Sequence, residues 1–261
     1  MTGEAVRITR NGPILEVILD RPKANAIDAP TSRRLGEAFR EFRDDRDLRV
    51  AIISGGGPKF FCAGWDLLAA AAGEPQDADY GCGGFGGLQE LPDLNKPVIA
   101  AVNGMAVGGG FELALSADLI IAAQHARFAL PEIMAGTLAE AATIRLPRRI
   151  PYHFAMELLL LGRWMDAHEA HSRGIVKEVV PAENLMSRAR AIAATLAAGP
   201  PLVFAAIKEV VRESEPLSFG EAMARIRERG FPTVSRLYSS GDQKEGARAF
   251  AEKRTPVWRG C

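Results

Sequence analysis

One stretch constrains this chain more than any other. The compact apolar run Pro97-Val98-Ile99-Ala100-Ala101-Val102 leads into Asn103-Gly104-Met105-Ala106-Val107-Gly108-Gly109-Gly110-Phe111-Glu112-Leu113-Ala114-Leu115-Ser116-Ala117-Asp118. The apolar run reads as a buried strand, and the three consecutive glycines open a helix. Glycine there permits positive φ, or lets a ligand approach the main chain closely. Free N–H groups at a helix start favour negative charge. Glu112 follows the last glycine by two residues, among Phe111, Leu113 and Leu115. Two readings stay open on these residues. One is a backbone anion site with an acid beside it. The other is a tight turn into a packed helix with Glu112 on its solvated face.

The pattern occurs a second time. Val50–Ser54 is strand-like, Gly55-Gly56-Gly57-Pro58 is a loop, and Lys59-Phe60-Phe61-Cys62-Ala63-Gly64-Trp65-Asp66-Leu67 enters a short helix. A repeated strand, glycine turn and helix predicts an α/β fold of the β-β-α spiral type, in which successive turns line up on one face. Each turn offers a backbone N–H, near Trp65 and near Gly109. If the turns stack, the two donors converge into an oxyanion hole that stabilises charge on a carbonyl oxygen. The alternative is two unrelated turns that share glycine.

Elsewhere, Val6–Arg10 and Ile14–Asp20 predict a hairpin around Asn11-Gly12. A helix follows Asp28, its N-cap, with Pro30 in the first turn and Leu35, Phe39 and Phe42 at helical spacing. Leu119–Ala123 and Ile175–Val180 are strand-like, Phe128–Leu130 is extended, and 139–146 and 154–161 read as helices. Gly73–Gly87 reads as a mobile loop, a lid or substrate wall. From Glu183 the chain is helical by pattern, broken at Pro200-Pro201 and Pro216. This places a spiral core over 1–199 and a helical region over 200–261. That region carries Phe219, Met223, Phe231, Leu237 and Phe250, apolar surface suited to burial against another subunit.

Composition narrows the function. Lys+Arg and Asp+Glu are both 32, so the formal charge is zero, and no basic excess points to nucleic acid or an anionic membrane. No window reaches about 18 uninterrupted apolar residues, the length of a membrane span. Cys62, Cys82 and Cys261 show neither metal spacing nor a disulfide framework, and the start of the chain lacks a signal-peptide core. A cytoplasmic protein is the expectation. His125, His153, His168 and His171 lack metal-ligand context, so no metal is expected. No P-loop or GxSxG elbow is present, and Cys62 reads as a small buried residue. The remaining chemistry lies in Glu112 and Glu132. Apolar neighbours raise a carboxyl pKa by desolvation, and two carboxylates in different environments can divide acid and base roles. Glu132 by itself reads equally as a helix-start acid.

The chain resembles the enoyl-CoA hydratase/isomerase (crotonase) family from end to end. The resemblance is carried by Arg21-Pro22-Lys23-Ala24-Asn25-Ala26, Phe61 to Leu67, Lys96 to Gly104, Gly108 to Leu113, Ala117-Asp118, Pro131-Glu132, Arg145-Leu146-Pro147, Gly174-Ile175-Val176 and Glu252-Lys253-Arg254. It implies a crotonase-like β-β-α spiral core with a C-terminal trimerisation region, as a homotrimer or dimer of trimers. It implies an acyl-CoA substrate, with coenzyme A as part of the substrate and no separate cofactor. The backbone N–H groups of Trp65 and Gly109 would hold the thioester oxygen. Lys23, Ala24 and Ala26 would lie along the adenine and pantetheine. Ala63, Asp66 and Leu67 would flank that channel, and Phe250 and Lys253 would reach the nucleotide from the tail. Glu112 and Glu132 match the two family acids that position water and move its protons across a 2,3-double bond.

Within the family, Trp65, the 73–87 loop with Phe85 and the tail 251–258 are most similar to the carnitinyl-CoA dehydratases. A trimethylammonium acyl group would suit aromatic faces, with Trp65, Tyr80, Phe85 and Trp164 as candidates and Asp77 or Asp79 nearby. The same aromatics could instead line a neutral acyl pocket. One segment departs from the family pattern. Gly136-Thr137-Leu138-Ala139-Glu140-Ala141-Ala142-Thr143 lacks the usual proline and double glycine and is one residue short, a change that bears on Glu132; Glu140 falls where some members place an acid. Alternatives on the same scaffold are double-bond isomerisation, thioester hydrolysis, and acyl-CoA binding without turnover.

Overall fold

A computed structural model describes residues 4–261 of the 261-residue chain. The hairpin around Asn11-Gly12 forms as expected, pairing β1 (Val6–Asn11) with β2 (Ile14–Leu19) antiparallel. Gly12 takes φ +57° in its turn. The next strands are β3 (Val50–Gly55), β4 (Phe60–Cys62), β5 (Val98–Val102), β6 (Met105–Val107), β7 (Leu119–Ala123), β8 (Arg127–Ala129), β9 (Met165–Asp166) and β10 (Glu178–Val180). A six-stranded sheet runs β1-β2-β3-β5-β7-β10, and a four-stranded sheet runs β4-β6-β8-β9. The helices that position the site are α1 (Ala29–Asp44), α2 (Leu67–Ala71), α3 (Gly109–Leu115), α4 (Glu132–Ala135) and α5 (Glu140–Arg149).

The two sheets are built by one repeated step. A strand enters the large sheet, a short strand enters the small one, and a helix returns. β3-β4-α2, β5-β6-α3 and β7-β8-α4 each make this step. An abbreviated first turn uses β2, an isolated parallel bridge from Ile27 to Trp65, and α1. The sequence pattern exposed two of these turns. The others were hidden because the first turn has only the single Ile27–Trp65 bridge in place of a short strand, and the third joins the three-residue β8 to α4 through Leu130-Pro131, with no glycine to mark the turn. The stretch before the glycine helix is therefore a strand, and Gly108 is the N-cap rather than part of the helix.

The central strands are covered on both faces, which explains their unbroken apolar runs. Ala51, Ile53, Val98, Ala100 and Val102 face the main core, which includes Phe39, Phe42, Phe61, Phe111 and Phe128. Their neighbours Val50, Ile52, Ile99, Ala101, Ile121 and Ala123 face Leu185, Ala189, Ala193 and Ala197 on α8 (Leu185–Ala197). α6 (Tyr152–Leu161) and α7 (Ala167–Ser172) lie between the two halves of this arrangement in sequence. After α8 come α9 (Pro201–Glu213), α10 (Phe219–Arg227), α11 (Pro232–Ser239) and α12 (Gly241–Ala251). Ala206, Phe231 and Val234 form a separate small core there. Lys208 ties α9 back to the spiral by donating to Asp118 at 2.7 Å and to the Lys96 carbonyl at 2.8 Å.

Two expectations need correction. The strand read over Ile175–Val180 shortens to Glu178–Val180, because His171 and the turn at Gly174 (φ +79°) claim the preceding backbone. The 73–87 loop is irregular, as read, but its end is pinned. Gly86 donates to the Ser32 hydroxyl at 3.0 Å, Arg33 donates to the Asp79 carbonyl at 2.6 Å, and a Cβ on Gly81 would lie 3.0 Å from Arg33 Cγ. Asp28 caps α1, accepting from the Thr31 N–H at 2.9 Å. Among the described residues no single helix is long and apolar enough to cross a membrane.

Candidate active site

Neighbouring strands of the small sheet aim two turns at one place. β4 and β6 pair in parallel, with Cys62 opposite Ala106. The chain leaving β4 reaches Trp65, and the chain leaving β6 reaches Gly109. Gly64 is the contact between them. Its φ is +85°, and a Cβ there would stand 2.7 Å from the Val107 carbonyl and 3.0 Å from the Gly109 nitrogen. Only glycine allows both the backbone angle and the approach. Among the described residues, neither the Trp65 N–H nor the Gly109 N–H donates to a protein acceptor. Both residues line one cleft with Phe85, Glu112 and Glu132.

Glu112 sits in the first turn of α3 and is buried. Its Oε1 accepts from the Ala142 N–H at 2.8 Å, a donor supplied by the first turn of α5. Desolvation raises its pKa, with Glu140 adding to the rise; the Ala142 N–H, Gln89 and Arg145 oppose it. Gln89 Nε2 lies close by, buried, but makes no geometrically formed hydrogen bond. Arg145 is held behind the site, donating to Ser116 Oγ at 2.6 Å and to the Gln89 carbonyl at 2.9 Å.

Glu132 begins α4, the helix of the next spiral turn. Its carboxylate packs on the glycine turn, where a Cβ on Gly108 (φ +55°) would stand 2.6 Å from Oε1. Oε2 is buried without a partner. Burial is the main reason its pKa rises to about 7; its own N–H opposes the shift and the nearby Glu112 charge adds to it. The atypical 136–143 segment therefore leaves Glu132 in the cleft. Gly136, at φ +69°, closes α4 after one turn, and α5 restarts at Glu140.

The raised Glu132 pKa has a consequence for stability. Between about 4.5 and 7 the folded state holds a proton that the unfolded state has lost, so stability falls as pH rises through that window and levels off above it. Thermal melts from pH 5 to 8 are expected to show a larger fall in Tm for the wild type than for Glu132→Gln. Parallel curves would mean that Glu132 titrates normally.

The comparisons with known proteins agree with this geometry. Residues 9–261 match the family model described as enoyl-CoA hydratase/isomerase. The chain belongs to that family. A carnitinyl-CoA dehydratase of Proteus mirabilis is 53% identical over 258 residues, covering 98% of this chain and 99% of its own. A carnitinyl-CoA dehydratase of Salmonella typhi is 54% identical with the same coverage. The crystal structure of an enoyl-CoA hydratase from Mycobacterium tuberculosis superposes with a TM-score of 0.89 at 40% identity, covering 98% of this chain and 99% of that one.

Within this family member, the expected residues fall into separate groups. Trp65, Phe85, Gly109, Glu112 and Glu132 share the cleft. Ala24 and Ala63 meet beside it, the Ala63 N–H donating to the Ala24 carbonyl at 3.1 Å. Ala26 is half-buried and Lys23 exposed. Leu67 is 68% exposed at the start of α2. Asp66 is committed within the protein: it caps α2 through Leu68 and Ala69 and pairs with Arg21 at 2.6 Å. Phe250 is 88% exposed at the end of α12, close to Lys253, and neither lines the cleft of its own chain. Trp164 also lies outside the cleft lining, beneath the Arg127 guanidinium, and Asp79 is used by the Gly81 N–H. Gln89, Glu90, Thr137 and Leu138 line the cleft without having been singled out. They come from loops with no pattern of their own. Cys62 is fully buried, which pushes its thiol up to about 12 and away from nucleophilic use.

Proposed function

We propose that the protein interconverts carnitinyl-CoA and crotonobetainyl-CoA, the specific form of an enoyl-CoA hydratase/dehydratase activity. The observation that carries the reading is one cleft holding two unpaired backbone donors and two carboxylates whose pKa values are both raised. The thioester oxygen accepts from the Trp65 and Gly109 N–H groups, which stabilise the enolate. In the hydration direction Glu112 takes a proton from water as its oxygen bonds to C3. The C2–C3 π pair moves toward the thioester, and Glu132 delivers a proton to C2. Dehydration runs the same transfers backward. The roles divide by environment. Glu132, with a pKa of about 7 and an unpartnered buried oxygen, carries a proton near neutrality. Burial raises the Glu112 pKa as well, but there the Ala142 N–H and Arg145 oppose the rise, partners that Glu132 lacks.

Lys23, Ala24, Ala26, Ala63 and Leu67 border the channel for coenzyme A, which enters as part of the substrate with no separate cofactor. Phe250 and Lys253 act from the tail of a neighbouring subunit. The assembly is a homotrimer or a dimer of trimers, supported by exposed apolar side chains on 200–261, including Val211, Phe219 and Phe250. The 1–199 core and the 200–261 helices serve catalysis and assembly respectively, in the cytoplasm, in keeping with three free cysteines.

The test is direct. Purified protein is expected to hydrate crotonobetainyl-CoA faster than crotonyl-CoA, followed by loss of the enoyl absorbance and by product analysis. Release of free CoA, a shifted double bond, or no turnover of either thioester would overturn the proposal.

A further inference from the structure

The cleft has an unusual charge for a site that binds a polyanionic carrier. Four glutamates line it, Glu90, Glu112, Glu132 and Glu140, and none of its lining side chains is basic. Two of the four are accounted for by the chemistry above. Glu90 is folded against the loop, where a Cβ on Gly84 would meet its Oε1 at 2.7 Å. That leaves Glu140. It is exposed to the cleft at the first position of α5, and among the described residues it forms no ion pair or side-chain hydrogen bond within 4.0 Å or 3.5 Å respectively. Its position follows from the atypical segment, because α5 restarts there after the break at Gly136.

Two aromatic rings from the pinned loop line the cleft with Glu140. Tyr80 and Phe85 stand edge to face, with centroids 5.3 Å apart and planes at 81°. Both line the same cleft. A ring face attracts a cation without requiring a hydrogen-bond donor. A trimethylammonium group has no N–H to donate, so aromatic faces and an unpaired carboxylate are the groups able to recognise it. A carboxylate on the acyl chain would instead meet a cleft lined by four glutamates and no basic side chain. Tyr80 already feels this field: burial first, then Glu74, Glu140 and Asp77, push its hydroxyl up to about 12.

We propose that Glu140, acting with the faces of Tyr80 and Phe85, is the residue that selects a positively charged acyl group over a neutral one of the same shape. The inference rests on the substrate class argued above. It adds which residue sets the preference, and it gives the shortened 136–143 segment a purpose, delivery of an unpaired carboxylate to the acyl end of the cleft.

The experiment compares crotonobetainyl-CoA with its neutral carbon isostere, 5,5-dimethylhex-2-enoyl-CoA, in the wild type and in Glu140→Gln. Glutamine keeps size and removes charge at an exposed position, and a melting curve confirms folding. The wild type is expected to favour the cation in kcat/KM. In Glu140→Gln that preference is expected to fall about tenfold, the size of one partly solvated charge interaction, mainly through KM for the cationic thioester, with the isostere unchanged. A second variant, Tyr80→Leu, is expected to weaken the same preference while retaining turnover of the isostere. If the wild type favours the cation and Glu140→Gln keeps that preference, or if both substrates fall by the same factor, this inference fails and the substrate reading stands. A wild type that does not favour the cation overturns the substrate reading itself.

Discussion

Glu112→Gln is expected to lower kcat by about 10³-fold, the span typical of losing a positioned general acid or base. The side chain is buried in the first turn of α3, and one oxygen is already spent on the Ala142 N–H at 2.8 Å. Glutamine can keep that hydrogen bond through its amide oxygen, so the fold and the cleft persist. It cannot take a proton from water at the other position. Since the acyl-CoA contacts are otherwise intact, KM is expected to move little. Steady-state hydration of an enoyl-CoA, with a melting curve for each protein, gives the answer. Activity within about tenfold of the wild type would remove Glu112 from the mechanism.

The second large effect belongs to a residue with no side chain. Gly64→Ala is expected to reduce kcat/KM by about 10²-fold or more, the loss seen when an oxyanion donor is displaced. Alanine at φ +85° costs about 1–2 kcal/mol in backbone strain, and its methyl group would sit 2.7 Å from the Val107 carbonyl and 3.0 Å from the Gly109 nitrogen. The two turns must then separate, and the paired N–H groups separate with them. Gly57→Ala separates strain from displacement. Gly57 also has positive φ, +73°, but a Cβ there meets nothing within 4 Å. That variant is expected to lose stability and keep activity. Equal losses of activity in the two variants would argue that strain alone explains the Gly64 effect.

Several features that serve the site are not local in the chain. The Ala142 N–H that holds Glu112 comes from 30 residues away, and Arg145, which donates to the Ser116 hydroxyl, is 29 residues from its partner. Gln89 and Glu90 belong to a loop whose place is set by Ser32 and Gly36 on α1. No periodicity marks such residues, because a lining residue is selected by where its backbone ends up. Asp66, which the family resemblance places along the coenzyme A channel, has its carboxylate taken up by the α2 cap and Arg21. Trp164 likewise reads as an aromatic candidate for the acyl end, but its partner is Arg127.

What the sequence by itself determined is the scaffold and its key turns. Buried strands covered on both faces need uninterrupted apolar runs, so Val50–Ser54 and Val98–Val102 were visible as strands. A turn that must take positive φ or admit a neighbouring backbone needs glycine, so Gly64 and Gly108 to Gly110 marked the site. A carboxylate in an apolar setting stands out, so Glu112 and Glu132 did too. The tertiary structure alone decided that the two glycine turns meet, that a third spiral turn brings Glu132 against Gly108, and that burial raises both acids while only Glu112 gains the Ala142 N–H and Arg145 to oppose the rise. It also decided that the shortened 136–143 segment leaves Glu140 unpaired in one cleft with Tyr80 and Phe85. The reason is physical: apolar periodicity and backbone angle are properties of a few adjacent residues, whereas desolvation, charge coupling and approach distance depend on what the rest of the chain places nearby.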